Sequence, residues 1–343
     1  MRATIVLTIR NEGAFLIEWL AHHRGLGFTD FLVFSNDCQD GTDAMLDRLQ
    51  AMGWLQHVRN NPPYDKGGVQ WSALKKGDKH ALVKRSDWLL SLDIDEFVNI
   101  HVGDHSLGAL LAALPDADAI TLTWRLFGNC GRVEYRDQPV LEQFSRAAPE
   151  VMPWPWRAFM FKTLYRNNGA YKKLGVHRPR SPVDGVVDET RWFDGAGREL
   201  EARFRRRQIF SPFGRPNYRL VQLNHYPLGA MESYLLKVDR GRAVHDAHEL
   251  GLDYWAERNW CLQEDQSIRA AAPLAAPFQK ELHADKRLAA LHASAVKWRH
   301  TRLADLLSQE PYRALMGRLI MTPPARVVPM ELARRLFHHA RKT

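Results

Sequence analysis

The stretch Trp88-Leu-Leu-Ser-Leu-Asp-Ile-Asp-Glu-Phe-Val98 decides the fold. An apolar run from Trp88 to Leu92 is cut off by three acids, Asp93, Asp95 and Glu96, and apolar residues then resume. A short run of this kind reads as a strand buried on both faces of a sheet. In an open α/β sheet, ligands bind beyond the carboxyl ends of the strands, which is where these acids stand. Carboxylates at a strand tip are hard oxygen ligands for Mg²⁺ or Mn²⁺, which in turn hold phosphate oxygens. The plainer alternative makes them solvated turn residues or helix caps.

The chain on either side repeats one pattern. Ala3 to Thr8 is a β-rich strand running into Arg10-Asn11-Glu12, with Asn11 placed to cap a helix bearing Phe15, Leu16, Trp19 and Leu20 at helical spacing. His22 and His23 near its end read as cations or hydrogen-bonding groups. Phe31 to Phe34 is a second strand that opens into Ser35-Asn-Asp-Cys-Gln-Asp-Gly-Thr-Asp43, and a helix with Met45, Leu46, Leu49 and Met52 inward follows. Leu55 to Val58 is a short strand, and residues 69–83 are expected to form one helix into the acid-tipped strand. After Val98, a helix over Ser106 to Leu114 and a strand over Ala119 to Trp124 continue the alternation. Strands joined by connections of helix length imply an α/β fold with a parallel, doubly wound sheet.

Beyond Trp124 the signal weakens. Residues 134–151 are expected to be helical, and residues 152–182 to be loop-rich with aromatic and basic residues interleaved. Gln222 to Tyr226 reads as a strand, Met231 to Arg242 as a helix, and the chain after Asp246 as mostly helical. If the strands lie side by side, Arg10-Asn11-Glu12, Asn36-Asp37 and Asp93 with Asp95 share one sheet edge, which suits a nucleotide whose phosphates need a cation. No Gly-x-Gly-x-x-Gly follows the first strand and no Walker sequence is present, which argues against a dinucleotide enzyme and a P-loop NTPase.

The 343 residues are 45% hydrophobic and 25% charged, the composition of one large or two modest globular domains. Three well-separated cysteines, Cys38, Cys130 and Cys261, give no zinc spacing and imply free thiols in a reducing compartment. With no signal-peptide pattern and no apolar run long enough to span a bilayer, a cytoplasmic protein is expected. The net charge of +9 asks for an acidic partner: nucleic acid, an anionic membrane or a phosphorylated substrate. Basic residues cluster at Arg203 to Arg207 and from Arg326 to Lys342, where a solvated face or a membrane-surface helix is the plain reading.

An ordered set of patches carries a resemblance. These are Thr8-Ile-Arg-Asn-Glu12, Glu18-Trp19 with His23 and Gly27, Phe34-Ser-Asn-Asp with Asp40-Gly-Thr42, and Asp93-Ile-Asp-Glu-Phe97. Trp124-Arg-Leu-Phe-Gly-Asn129, Lys173-Leu-Gly-Val-His177, Leu223-Asn-His-Tyr226, Lys237 and Arg240-Gly241 follow. From residue 3 to about 270 the chain resembles GT-A fold glycosyltransferases of the family 2 type, near the family 92-like branch. That implies a GT-A, Rossmann-like, mostly parallel sheet flanked by helices, with a helical C-terminal extension. The implied organisation is a donor half over 1–125, an acceptor-binding and catalytic half over 126–270, and a basic helical tail over 271–343.

The resemblance also implies roles. Thr8, Arg10, Asn11 and Glu12, with Asn36 or Asp37, would wall the nucleotide base and ribose. Asp93 would face ribose and cation across Ile94, and Asp95 would ligate the metal directly, with His177 or His225 meeting metal or diphosphate. The implied reaction is metal-dependent transfer (Mn²⁺ or Mg²⁺) from a UDP-sugar to a glycan or glycolipid hydroxyl, inverting by direct displacement. Such a displacement needs a carboxylate base; Asp265, beside Glu264, comes first, with Glu134 and Asp137 as alternatives. Trp124, Phe127, Trp154 and Trp156 are the expected acceptor platform, and the basic tail could rest on an anionic membrane. Two rivals stand beside this reading. A nucleic-acid-binding protein would use the basic surface but leave Asp93 and Asp95 without a role. A sugar-nucleotide or glycan-binding module would keep the fold and lack turnover.

Overall fold

The computed structural model describes residues 1–340 apart from 65–66, 153–155, 213 and 242–249, and omits the side chains of Trp156 and Ala340. Its strands are β1 (Ala3–Ile9), β2 (Asp30–Ser35), β3 (Gln56–Arg59), β4 (Trp88–Leu92), β5 (Glu96–Ile100), β6 (Ala119–Leu126) and β7 (Arg146–Ala147). They continue with β8 (Phe161–Arg166), β9 (Tyr171–Lys173), β10 (Arg180–Pro182), β11 (Trp192–Asp194), β12 (Val221–His225) and β13 (Gln263–Glu264). The helices are α1 (Gly13–Gly25), α2 (Thr42–Ala51), α3 (Val69–Gly77), α4 (Ala81–Arg85), α5 (Leu107–Ala113), α6 (Val140–Gln143) and α7 (Arg203–Arg206). Then come α8 (Met231–Arg240), α9 (Leu252–Arg258), α10 (Ala272–Ala284), α11 (Lys286–Leu307), α12 (Glu310–Met321) and α13 (Met330–Ala340).

The main sheet runs β3-β2-β1-β4-β8-β6-β12-β5, with β11 paired to β6. Its first four strands are parallel, as expected, and joined by helical crossovers. The other half is mixed, because β8 inserts antiparallel between β4 and β6. The apolar residues that resume after the acids are themselves a strand. They form β5, which pairs antiparallel with β12 and places Glu96 opposite His225. Asp93-Ile94-Asp95 therefore fills the turn between two buried strands, at the carboxyl end of β4.

Three local expectations fail. Asn11 does not cap α1: its backbone is left-handed (φ 53°) and its Oδ1 accepts from the Gln39 amide at 2.7 Å. The expected helix over 69–83 breaks at Asp78–His80, where the His80 ring accepts the Leu82 amide and starts a new turn. Only Val140–Gln143 of residues 134–151 is helical, since Pro139 and Pro149 cannot donate within a helix and disfavour it just before themselves. The remote Glu18 carboxylate accepts the Val140 and Leu141 amides at 2.8 and 3.1 Å, so α1 fixes this short helix. His22 and His23 are buried hydrogen-bonding groups, with burial holding both below the ordinary histidine range, His22 at about 4. They are not cations.

The C-terminal region is part of the body. Helix α10 packs along α1 and α11 against α1, α2 and α8, while α12 packs on α8. A Cβ on Gly25 would lie 2.7 Å from the Leu274 carbonyl, so only glycine permits this approach of α1 and α10. Asp285 caps α11 and pairs with Arg48 of α2. Helix α13 buries Ala333 but leaves Leu332 and Leu336 exposed beside Arg334 and Arg335. Among the described residues, no helix is long and apolar enough to cross a membrane.

Candidate active site

The carboxyl ends of β1, β2 and β4 open into a cleft of roughly 1140 Å³. Thr8, Arg10, Glu12, Asn36, Asp93, Ile94 and Asp95 line one side of it with Trp124, His177 and His225. Seven of the nine residues expected around the donor thus meet in one space. Asn11 lies beside it, turned toward Gln39, and Asp37 stands exposed, with Tyr64 donating to its Oδ2 at 2.6 Å. Asn36 reaches the cleft but is also structural: its amide bridges Ile9, Phe34 and Asn60.

Two lysines that pattern reading left without a role sit on the acids. Lys162 of β8 donates to Asp93 Oδ2 at 2.8 Å and lies 3.4 Å from Glu96 Oε2. Lys237 of α8 donates to Asp95 Oδ2 at 2.8 Å and to the Pro227 carbonyl. Burial alone would raise Asp95, but Lys237 and His225 hold its carboxyl far below the usual carboxylate range. Burial, offset only in part by Lys162, pushes Glu96 up to about 8, with Asp93 and Asp95 adding to the rise. Glu96 also accepts Trp124 Nε1 at 2.7 Å and the Asp93 amide at 2.9 Å. Glu12 is paired with Arg240, which donates as well to the Arg10 carbonyl at 3.1 Å.

The two histidines differ. Nδ1 of His177 donates to the Phe161 carbonyl at 3.0 Å, and burial with nearby Lys162 lowers the ring to about 4. His225 Nε2 stands 3.7 Å from Asp95 Oδ1, and its buried Nδ1 has no hydrogen-bond partner among the described residues. Trp124 packs against both rings. The ring turns Nε2 toward Asp95, while the orphaned Nδ1 lies on its other side, so Nε2 and Asp95 Oδ1 are the atoms that would face a divalent cation. No three His, Cys, Asp or Glu side chains converge on a metal position among the described residues. A cation here would take two protein ligands and complete its shell with phosphate oxygens and water.

Other expected residues fall elsewhere. Asp265 does not line the cleft: its carboxylate accepts Gln222 Nε2 at 2.9 Å and Ser267 Oγ at 2.6 Å. Burial would raise it, and the Ser267 and Gln222 bonds hold it low, so it is engaged rather than free as a base. Glu264 is exposed in β13, Glu134 is exposed near Arg136, and Asp137 is bonded to His292 at 3.0 Å. Phe127 is a core residue, 1% exposed and packed on Tyr226, and does not belong to an acceptor platform. Trp124 is largely buried, presenting only part of its ring. Trp154 lies outside the described residues, as does the Trp156 side chain.

A strand-tip acid turn, flanked by paired cations, at the switch point of a parallel half-sheet suits a phosphorylated nucleotide. The chain is similar to glycosyltransferases. A family 92 glycosyltransferase of Ricinus communis is 30% identical over 117 residues, which is 31% of this chain and 19% of that protein. A family 92 protein of Oryza sativa subsp. japonica is 24% identical over 153 residues, 41% of this chain and 24% of that one. The matched regions thus span about a fifth to a quarter of these relatives' length. Among solved structures, S. aureus TarS 1-349 in complex with UDP-GlcNAc aligns with 13% identity and a TM-score of 0.34, covering 84% of this chain and 74% of that one. No family profile matches the chain.

The lysines carried a faint signal in the sequence. Lys162 is a charged residue near the start of the strand Phe161-Lys-Thr-Leu-Tyr-Arg166, and Lys237 stands three residues before Arg240-Gly241. What the sequence hid is the partner each one finds across the sheet.

Proposed function

We propose that the chain is a glycosyltransferase that binds a nucleotide-sugar donor, UDP-linked, in this cleft and passes the sugar to a glycan or glycolipid hydroxyl. The observation that carries the reading is the Asp93-Ile94-Asp95 turn, held by Lys162 and Lys237 and facing His225 at the carboxyl edge of β1, β2 and β4. Family 92 sequence similarity supports the same class of reaction.

In this reading Thr8 and Asn36 contact the nucleoside, and Arg10 and Arg240 lie toward the diphosphate. Asp95 and His225 would hold Mn²⁺ or Mg²⁺, which neutralises charge on the departing diphosphate. Lys162 donates to Asp93 and aims it, while Lys237 holds Asp95 ionised and places a fixed positive charge in the cleft. Both effects are set before the donor arrives, so little reorganisation is needed during reaction. Transfer is direct displacement with inversion: the acceptor oxygen bonds the anomeric carbon as its bond to the diphosphate breaks, and the hydroxyl proton passes to solvent, an outcome that proton NMR of the product's anomeric centre checks.

The test is nucleotide release from a panel of UDP-, GDP- and dTDP-sugars with Mn²⁺, Mg²⁺ or EDTA. One nucleotide class should turn over only with metal. Equal turnover in EDTA would remove the cation from the proposal, and no turnover with any donor would remove the reaction.

A further inference from the structure

The cleft has a second wall, built by residues outside the patches that carry the resemblance. Arg157, Met160 and Ile209 stand there with Tyr254 and Arg258 of α9 and Pro311, Tyr312, Leu315 and Arg318 of α12. Its charge balance differs from that of the strand edge. At the edge each cleft-lining carboxylate meets a cation: Glu12 meets Arg240, Asp95 meets Lys237, and Asp93 meets Lys162, which it shares with buried Glu96. On the outer wall Arg157 and Arg258 share the single carboxylate of Glu257, at 2.9 and 3.0 Å. The exposed Arg318 guanidinium has no hydrogen-bond or ion-pair partner among the described residues.

That leaves a surplus of guanidinium charge on one side of the cleft. Arg258 is 6% exposed and stacks 3.8 Å over the Tyr254 ring, so its position is fixed by packing. A guanidinium is a planar fork that matches carboxylate and phosphate oxygens in pairs. Tyr312, which lines the same wall, adds an aromatic ring of the kind that sugar rings stack on. A neutral acceptor would leave Arg318 to water and the two guanidinium charges of Arg157 and Arg258 to the one carboxylate of Glu257.

We infer that the acceptor is anionic, and that Arg157, Arg258 and Arg318 bind a carboxylate or phosphate carried on or next to the sugar that receives transfer. This deepens the glycosyl-transfer reading and rests on it. The anion has two sources with the same chemistry, a uronate residue of a glycan or a phosphate ester on the acceptor. Arg318 is the clean probe, because its side chain is exposed and holds no structural contact among the described residues.

Calorimetric titration of the full chain tests the inference, with and without saturating donor. The ligands are a uronate-containing trisaccharide, a hexose 1-phosphate and a neutral trisaccharide of equal length. One charged ligand should bind at least about tenfold more tightly than the neutral one, with affinity falling steeply as salt rises. Arg318→Ala should abolish that preference and leave donor affinity and the melting temperature unchanged. The donor titration by itself reports on the transferase reading, so its failure is separate from failure of the acceptor assignment. Which charged ligand binds names the source of the anion. Equal affinity for charged and neutral ligands, or a preference that survives Arg318→Ala and Arg157→Ala together, would overturn the anionic acceptor.

Discussion

The strand edge of the cleft and its outer wall come from different parts of the chain. The edge gathers Arg10, Glu12, Asp93 and Asp95 from the first hundred residues, and α8 and β8 supply a cation for each acid. The wall is assembled from α9, α12 and the turn at Arg157, and its arginines outnumber their acids. A carboxylate fixed by a lysine is preorganised, and in the proposed reading its task lies at the donor's diphosphate. An arginine without a full partner keeps its charge for whatever comes next. The comparison separates charges held in pairs at the edge from guanidinium charge in excess at the wall.

The sharpest way to break it is at Asp95. Asp95→Asn removes the charge facing His225 and Lys237, and turnover should fall on the order of 100-fold or more, measured as nucleotide release. Anion binding at the outer wall should be untouched. Next comes the trio of Asp93, Lys162 and Glu96. At pH 9, above the value of about 8 that Glu96 holds beside the lysine, Lys162→Met leaves half-buried Asp93 and fully buried Glu96 without their cation, which should lower stability in urea by roughly 3 kcal/mol or more. A change below about 1 kcal/mol would mean that Glu96 is already neutral and needs no lysine.

Much of the edge was legible because strand-tip acids leave a local mark: an apolar run stopped by Asp93-Ile-Asp95 can be seen without its neighbours. The βα alternation up to Trp124 was legible for the same reason, since each element announces itself within a few turns. The rest depended on distant pairings. That β8 inserts between β4 and β6, that Lys162 thereby reaches Asp93, and that α12 closes the cleft are consequences of topology. Asp265 misled because an acid ahead of a helical turn looks free until Gln222 and Ser267 are seen to hold it. Phe127 misled because sequence does not say which face of a glycine-containing turn meets the core.

A smaller effect probes the link from α1 to α6. Burial raises Glu18 from its ordinary value to about 7, although the Val140 and Leu141 amides oppose this. A carboxyl with a raised folded-state pKa stabilises the fold fully below its unfolded value, near 4.5, and that contribution is lost as pH rises through about 7. The difference in melting temperature between wild type and Glu18→Gln should therefore shift by a few degrees across pH 4.5 to 7, with wild type losing ground as pH rises. A flat difference curve would show that Glu18 titrates normally. The smallest effect is at α13, where exposed Leu332 and Leu336 beside Arg334 and Arg335 suit an anionic membrane surface. Salt-sensitive sedimentation with anionic vesicles, weakened in Leu336→Glu, is expected, at about 1 kcal/mol per basic residue engaged.

The central claim is that the strand edge is a nucleotide-sugar site. Thermal shift across a panel of nucleotide sugars, with Mn²⁺ and with EDTA, tests it most directly, with Asp95→Asn run beside wild type. The account predicts stabilisation by one nucleotide class that needs the metal and disappears in the variant. Stabilisation by no nucleotide, or an equal shift in Asp95→Asn, would contradict it.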